Sequence, residues 1–130
     1  MAGVSAVDQD QIAIHHLVRI PVDYRTLGNV SVLDLMDRHR IKEQIEIGTI
    51  YPESIASHLQ QDHSLIETWL HWSQDKRCSS GPFIVKTDED GRSSYTVGHS
   101  TEGPELSYDC PVTACANFIY LEAVQWAKVD

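Results

Sequence analysis

Hydrophobic positions along this chain change regime near its middle. From about Val32 to Trp72 they recur with helical spacing, and from Ser79 to Tyr108 they come in short clusters separated by turn residues, before a last helical stretch. Ser31 is a good N-cap, and Asp34 follows where an acid favours a helix N-terminus. Val32, Leu35, Met36 and His39 then share one face, which predicts a helix to about Arg40. Ile41–Ile47 (IKEQIEI) either prolongs that helix or forms a short strand, and Gly48 closes it. Pro52 suits the first turn of the next helix, with Ile55, Ala56 and Leu59 inward. Asp62 and Ser64 can cap a further helix, with Ser64 and Glu67 at capping-box spacing. Leu65, Ile66, Trp69, Leu70 and Trp72 give that helix a wide apolar face.

The start of the chain is harder to place. Residues 1–10 are small and polar and are expected to fray. In Gln11–Val22 (QIAIHHLVRIPV), Ile12, Ile14, His16, Val18 and Ile20 alternate with Ala13, His15, Leu17 and Arg19. That alternation predicts a strand able to join a sheet, although Ile12, His15, His16 and Arg19 would also suit a helix. Pro21 ends either element or places it at a sheet edge.

Past the breaker Ser79-Ser80-Gly81-Pro82, Phe83–Val85 reads as a strand. Asp88-Glu89-Asp90-Gly91 is a hairpin turn, Ser94–Val97 the return strand, and Leu106–Tyr108 a third. Pro111 opens a last helix that runs to about Lys128. Val112, Cys115, Ile119, Ala123 and Trp126 form its main stripe. The pattern predicts an α+β fold: a small antiparallel sheet over about residues 83–108 packed on a C-terminal helix, with two or three helices in the N-terminal half.

Composition narrows this picture. A length of 130 residues favours a single domain spanning 1–130. No apolar run is long enough for a membrane helix, and the first residues lack the basic and apolar regions of a secretory signal. Cys78, Cys110 and Cys115 are an odd set, so a complete disulfide framework would leave one thiol over. Together these features lead to the expectation of a cytoplasmic protein.

The formal charge of −9 argues against nonspecific binding to nucleic acid or to anionic membranes. It fits solubility, and it also fits a basic protein partner. The acids are segregated: Glu43 to Asp75 holds six of them and no Lys or Arg, while Arg38, Arg40 and Lys42 cluster just before. The leading expectation is a small protein-binding domain of the inhibitor or immunity type, neutralising a basic toxin or nuclease. Asp88, Glu89 and Asp90 at the hairpin tip, with Glu53, Asp62 and Glu67 on the central helices, would make the contacts.

Two other classes compete with it. One is a small enzyme or ligand-binding domain, with a pocket between the Trp-bearing helix and the sheet lined by Trp72, Arg77, His99 and Glu122. Glu122 lies at the edge of the last helix's apolar stripe, and Arg77 is the expected partner for its charge. The other is a homo-oligomer subunit that associates through the Leu65–Trp72 face.

Known chemistry-bearing motifs are missing. The chain has no phosphate-binding Gly loop, no Gly-x-Ser-x-Gly, no His-Glu-x-x-His and no dinucleotide fingerprint, so no catalytic residue is assigned. None of the seven His pairs at i, i+4. No metal or cofactor is expected, short of a tertiary assembly such as His71, Cys78 and His99. Cys110 stands where a helix N-terminus can lower a thiol pKa, whereas Cys115 reads as a small buried hydrophobe.

Overall fold

The computed structural model describes residues 6–75, 81–99 and 105–128. Six helices come first: α1 (Ala6–Val18), α2 (Ile20–Leu27), α3 (Val32–Arg38), α4 (Ile41–Ile47), α5 (Pro52–Gln61) and α6 (Ser64–Asp75). Three strands follow, β1 (Pro82–Glu89), β2 (Arg92–His99) and β3 (Leu106–Tyr108), and the last element is α7 (Pro111–Lys128). The expected α+β architecture is present, with the helical half cut into more and shorter pieces than the sequence suggested.

The cuts have local causes. Ser31 caps α3 with a full capping box: its hydroxyl accepts from the Asp34 N–H at 3.0 Å, and the Asp34 carboxylate accepts from the Ser31 N–H at 3.1 Å. Arg40 adopts a left-handed conformation (φ 55°) and separates α3 from α4, so IKEQIEI is a helix of its own and neither an extension nor a strand. Gly48, also left-handed, ends α4, and the Thr49 hydroxyl donates to the buried Gln44 side chain at 2.7 Å. At the α5–α6 corner the Asp62 carboxylate accepts from both the N–H and the hydroxyl of Ser64. Ser64 is thus the first residue of α6 rather than its cap.

The predicted N-terminal strand is overturned. Gln11–Val18 belongs to α1, and Pro21 lies in the first turn of α2. Burial explains the misreading. Ala13, Ile14, Leu17, Val18, Ile20 and Pro21 are buried while Ile12 is half exposed, a helical period hidden beneath alternating β-branched residues. Pro21 has no N–H to give the Leu17 carbonyl, so α1 cannot continue through it, and the chain breaks at Arg19 (φ −104°, ψ 6°). Helix α1 also takes in Ala6–Asp10, within the stretch expected to fray.

The sheet is antiparallel in the order β1-β2-β3. Its hairpin turns on Asp90-Gly91, both at positive φ (52° and 77°), the two-residue form that matches strand twist. Ile84 faces Val97 across the ladder, and both are buried. From Val85 to Arg92 the hairpin is exposed, so its tip projects from the body.

Helix α7 lies between the sheet and the helices. It packs on α3, α4, α5, α6 and all three strands. Its Val112, Ala114, Cys115, Ala116, Phe118, Ile119 and Ala123 are buried. Helix α6 crosses beside it and sends Trp69 into the centre, where the indole is fully buried, meets Phe118 edge-on at 6.0 Å and donates to the Val18 carbonyl at 2.8 Å. Removing that ring should be costly. Trp69→Ala is expected to lower the unfolding free energy by about 3–5 kcal/mol. Trp69→Phe, which mainly strands the Val18 carbonyl, should cost about 1–3 kcal/mol. Urea titrations followed by circular dichroism check the order and the sizes.

Candidate functional site

Trp72 follows Trp69 on α6 and turns toward the surface. It is half buried, and its indole N–H donates to Glu122 Oε2 at 2.9 Å. Glu122 itself is fully buried, in the middle of α7. Trp72 also meets Tyr24, Trp69 and Trp126 edge-on, with ring centres 5.7, 6.2 and 6.1 Å away. These near-perpendicular contacts set the positive ring edge against the negative ring face. Trp69, Trp72 and Trp126 therefore form one cluster, with Tyr24 against the Trp72 ring.

Outside that cluster lies a cavity of about 760 Å³, lined chiefly by Pro21, Tyr24, Arg25, Val30, Val32 and Trp72. Its walls come from α2, the α2–α3 loop, the start of α3, and Trp72. The size suits a small organic ligand. Of the four residues expected to line a pocket, Trp72 does so here. Glu122 lies behind the indole, Arg77 is outside the described residues, and of His99 only the backbone position at the end of β2 is described. No described sheet residue lines this cavity. The expected place between α6 and the sheet is bridged instead, because the Ser73 hydroxyl accepts from the Ile84 N–H at 3.0 Å in a buried contact. Arg77 was the partner expected for Glu122; among the described residues, the Trp72 indole donates to it.

The acids expected to contact a partner are all on the surface. Asp88, Glu89 and Asp90 are exposed on the projecting hairpin, and Glu53, Asp62 and Glu67 are exposed on α5, its C-cap and α6. They do not form one cluster. Glu53 and Asp62 stand at opposite ends of α5, a length of roughly 13 Å at helical rise. The Leu65–Trp72 face, offered as a self-association surface, is inside the fold: Leu65, Ile66, Trp69 and Leu70 are buried.

A third grouping was missed in the sequence. His16 on α1, Asp23 on α2 and His39 at the C-cap of α3 are each part-buried, with one ligand-type atom apiece all within 4.8 Å of one another. The two imidazoles stack face to face, 3.6 Å apart and 5° from parallel. Burial pushes the pKa of both below the ordinary range, Arg38 adds to this for His39, and Asp23 opposes it for each. His16 Nδ1 is buried and has no hydrogen-bond partner among the described residues. The spacing His16 to Asp23 signals nothing in a strand. It acquires meaning only once α1 is known to end before Pro21 and α2 to pack on α3.

The cysteines separate as expected. Cys110 is exposed just before α7, and hydrogen bonds to its sulfur from the Thr113 N–H and then the Thr113 hydroxyl hold its pKa below that of a free thiol. Cys115 is buried, and burial pushes its thiol up. Comparison with protein-family models, curated proteins and solved structures returned no match.

Two outcomes follow. Trp72→Phe leaves the buried Glu122 carboxylate without its indole donor and should cost about 1.5–3 kcal/mol, read by denaturant unfolding. In the folded protein iodoacetamide should modify Cys110 at least about tenfold faster than Cys115, as peptide mapping by mass spectrometry would show.

Proposed function

We propose that this protein is a small protein-binding domain of the inhibitor or immunity type, whose acidic surfaces neutralise a basic protein such as a toxin or nuclease. The observation that carries this reading is the exposure of all six candidate acids on two rigid supports. One support is the α5–α6 pair, with Glu53 at the start of α5 and Asp62 and Glu67 at its far end. The other is the hairpin tip, held by the Asp90-Gly91 turn and by the Ser93 hydroxyl donating to Asp88. From Glu43 to Asp75 no Lys or Arg interrupts the acidic character. Such a field attracts a cationic surface at long range and fixes its orientation at contact. Binding through it depends on ionic strength, because exposed charges are screened within about 8 Å at physiological salt.

A second reading rests on the cavity of about 760 Å³ beside Trp72. With Tyr24 and Trp72 on its wall and Arg25 at its edge, it fits an aromatic or anionic small molecule. A ligand there would quench or shift Trp72 fluorescence without regard to the hairpin acids.

The test is capture of partners from a lysate on the immobilised protein at low and high salt, with charge variants in parallel. Glu89→Lys with Asp90→Asn alters the hairpin, and Glu53→Lys with Glu67→Lys alters α5 and α6. We expect a basic protein retained at low salt, released at high salt, and lost at least about tenfold in one variant pair. Retention indifferent to salt and to both pairs would refute the acidic interface.

A further inference from the structure

We propose that His16, Asp23 and His39 form a binding site for a borderline transition-metal cation of the Zn²⁺, Co²⁺ or Ni²⁺ type. Two imidazoles and a carboxylate are a donor set of that class, whereas Mg²⁺ and Ca²⁺ favour oxygen ligands throughout. The three donors come from three elements and lie within 4.8 Å of one another. A tetrahedral ion with bonds of about 2.0–2.1 Å holds its ligand atoms about 3.4 Å apart. Closing by an ångström or so is within reach of part-buried side chains.

Two further features support the site. His16 Nδ1 is a buried ring nitrogen that no hydrogen bond among the described residues satisfies. Such an atom is costly to bury, and coordination is one way of satisfying it. Asp23 supplies the negative charge beside both rings, offsetting Arg19 near His16 and Arg38 near His39. The stack also defines what must move. Face-to-face rings 3.6 Å apart hold their lone pairs in nearly parallel planes, so one ring has to swing out for both nitrogens to converge on an ion. His39, at a helix C-cap and only part-buried, is the ring with freedom to do so. Three protein ligands leave a fourth position open for water or for a side chain of another molecule.

The test uses the full chain, stripped with chelator, and Zn²⁺ or Co²⁺ alone as probe. Calorimetry should give one equivalent of Zn²⁺ bound, and Co²⁺ should show the visible absorption of a four-coordinate ion. His39→Gln and Asp23→Asn should each weaken binding at least about tenfold. His63→Gln, an exposed histidine outside the cluster, should leave it unchanged. In the unaltered chain, Zn²⁺ should shift the imidazole ¹⁵N resonances of His16 and His39 ahead of those of the other histidines, a readout that does not depend on any variant folding. No binding, binding equally strong in both cluster variants, or ¹⁵N shifts confined to other histidines would each overturn the site.

Discussion

An eighteen-residue helix that is apolar on most of its circumference has to be covered on most sides, and α7 sets this demand on the whole chain. The sheet covers one part of it, and α3, α4, α5 and α6 cover others. A three-stranded sheet with one short strand offers little apolar area by itself, and much of its hairpin faces solvent. Its stability therefore depends on docking Ile84, Tyr95 and Val97 toward α7. The short helices have the same dependence. Helices of seven to ten residues are not stable alone, so α3, α4 and α5 persist because Leu35, Ile41, Ile55 and Leu59 are buried in the common core.

Within that core one group is out of character. Glu122 occupies a position on α7 where a hydrocarbon would be expected, and a buried carboxylate is tolerated only with good donors. The Trp72 indole is such a donor, and meeting it fixes where the end of α6 lies against α7. That placement brings Trp72 beside Trp126 and Tyr24, and it leaves the outer face of the indole as a wall of the cavity under the α2–α3 loop. Packing alone would let a Trp ring settle in several ways, whereas a hydrogen bond to a buried carboxyl group selects one. The cavity's aromatic wall is thus a consequence of a polar contact in the core.

Several parts of this arrangement were legible in the sequence because their signals are local. Asp90-Gly91 specified the hairpin, Pro111 the start of α7, and Ser31 with Asp34 the start of α3. The stripe from Val112 to Trp126 identified the helix that the rest would cover. Helix α1 was misread because β-branched residues at alternate positions imitate a strand, and only burial separates the two periods. The break at Arg40 rests on a positive φ at a residue type that gives no warning of it. The indole donor to Glu122 could not be read from the sequence: Trp72 is 50 residues distant, and charge matching does not suggest an indole. The six acids are exposed, but sequence order could not say that Glu53 and Asp62 would stand at opposite ends of a helix.

The same misreading concealed the histidine cluster. If residues 11–22 were extended, His16 and Asp23 would be more than 20 Å apart at strand rise, too far to share anything. The break enforced by Pro21 turns the chain, and the packing of α2 on α3 then delivers His39 to the same place. The cluster and the proposed acidic interface share no residue and no element: one uses α1, α2 and the end of α3, the other α5, its C-cap, α6 and the β1–β2 hairpin. Five of the ten cationic side chains, Arg19, Arg25, Arg38, Arg40 and Lys42, precede the stretch that has none, whereas Lys86 and Arg92 stand on the hairpin beside its acids. A cation held by the histidines would add its charge to the part of the chain already richest in positive groups. A basic partner would then be turned away from that region and toward the acids, so an ion at one site would sharpen the orientation of docking at the other while making the net charge less negative.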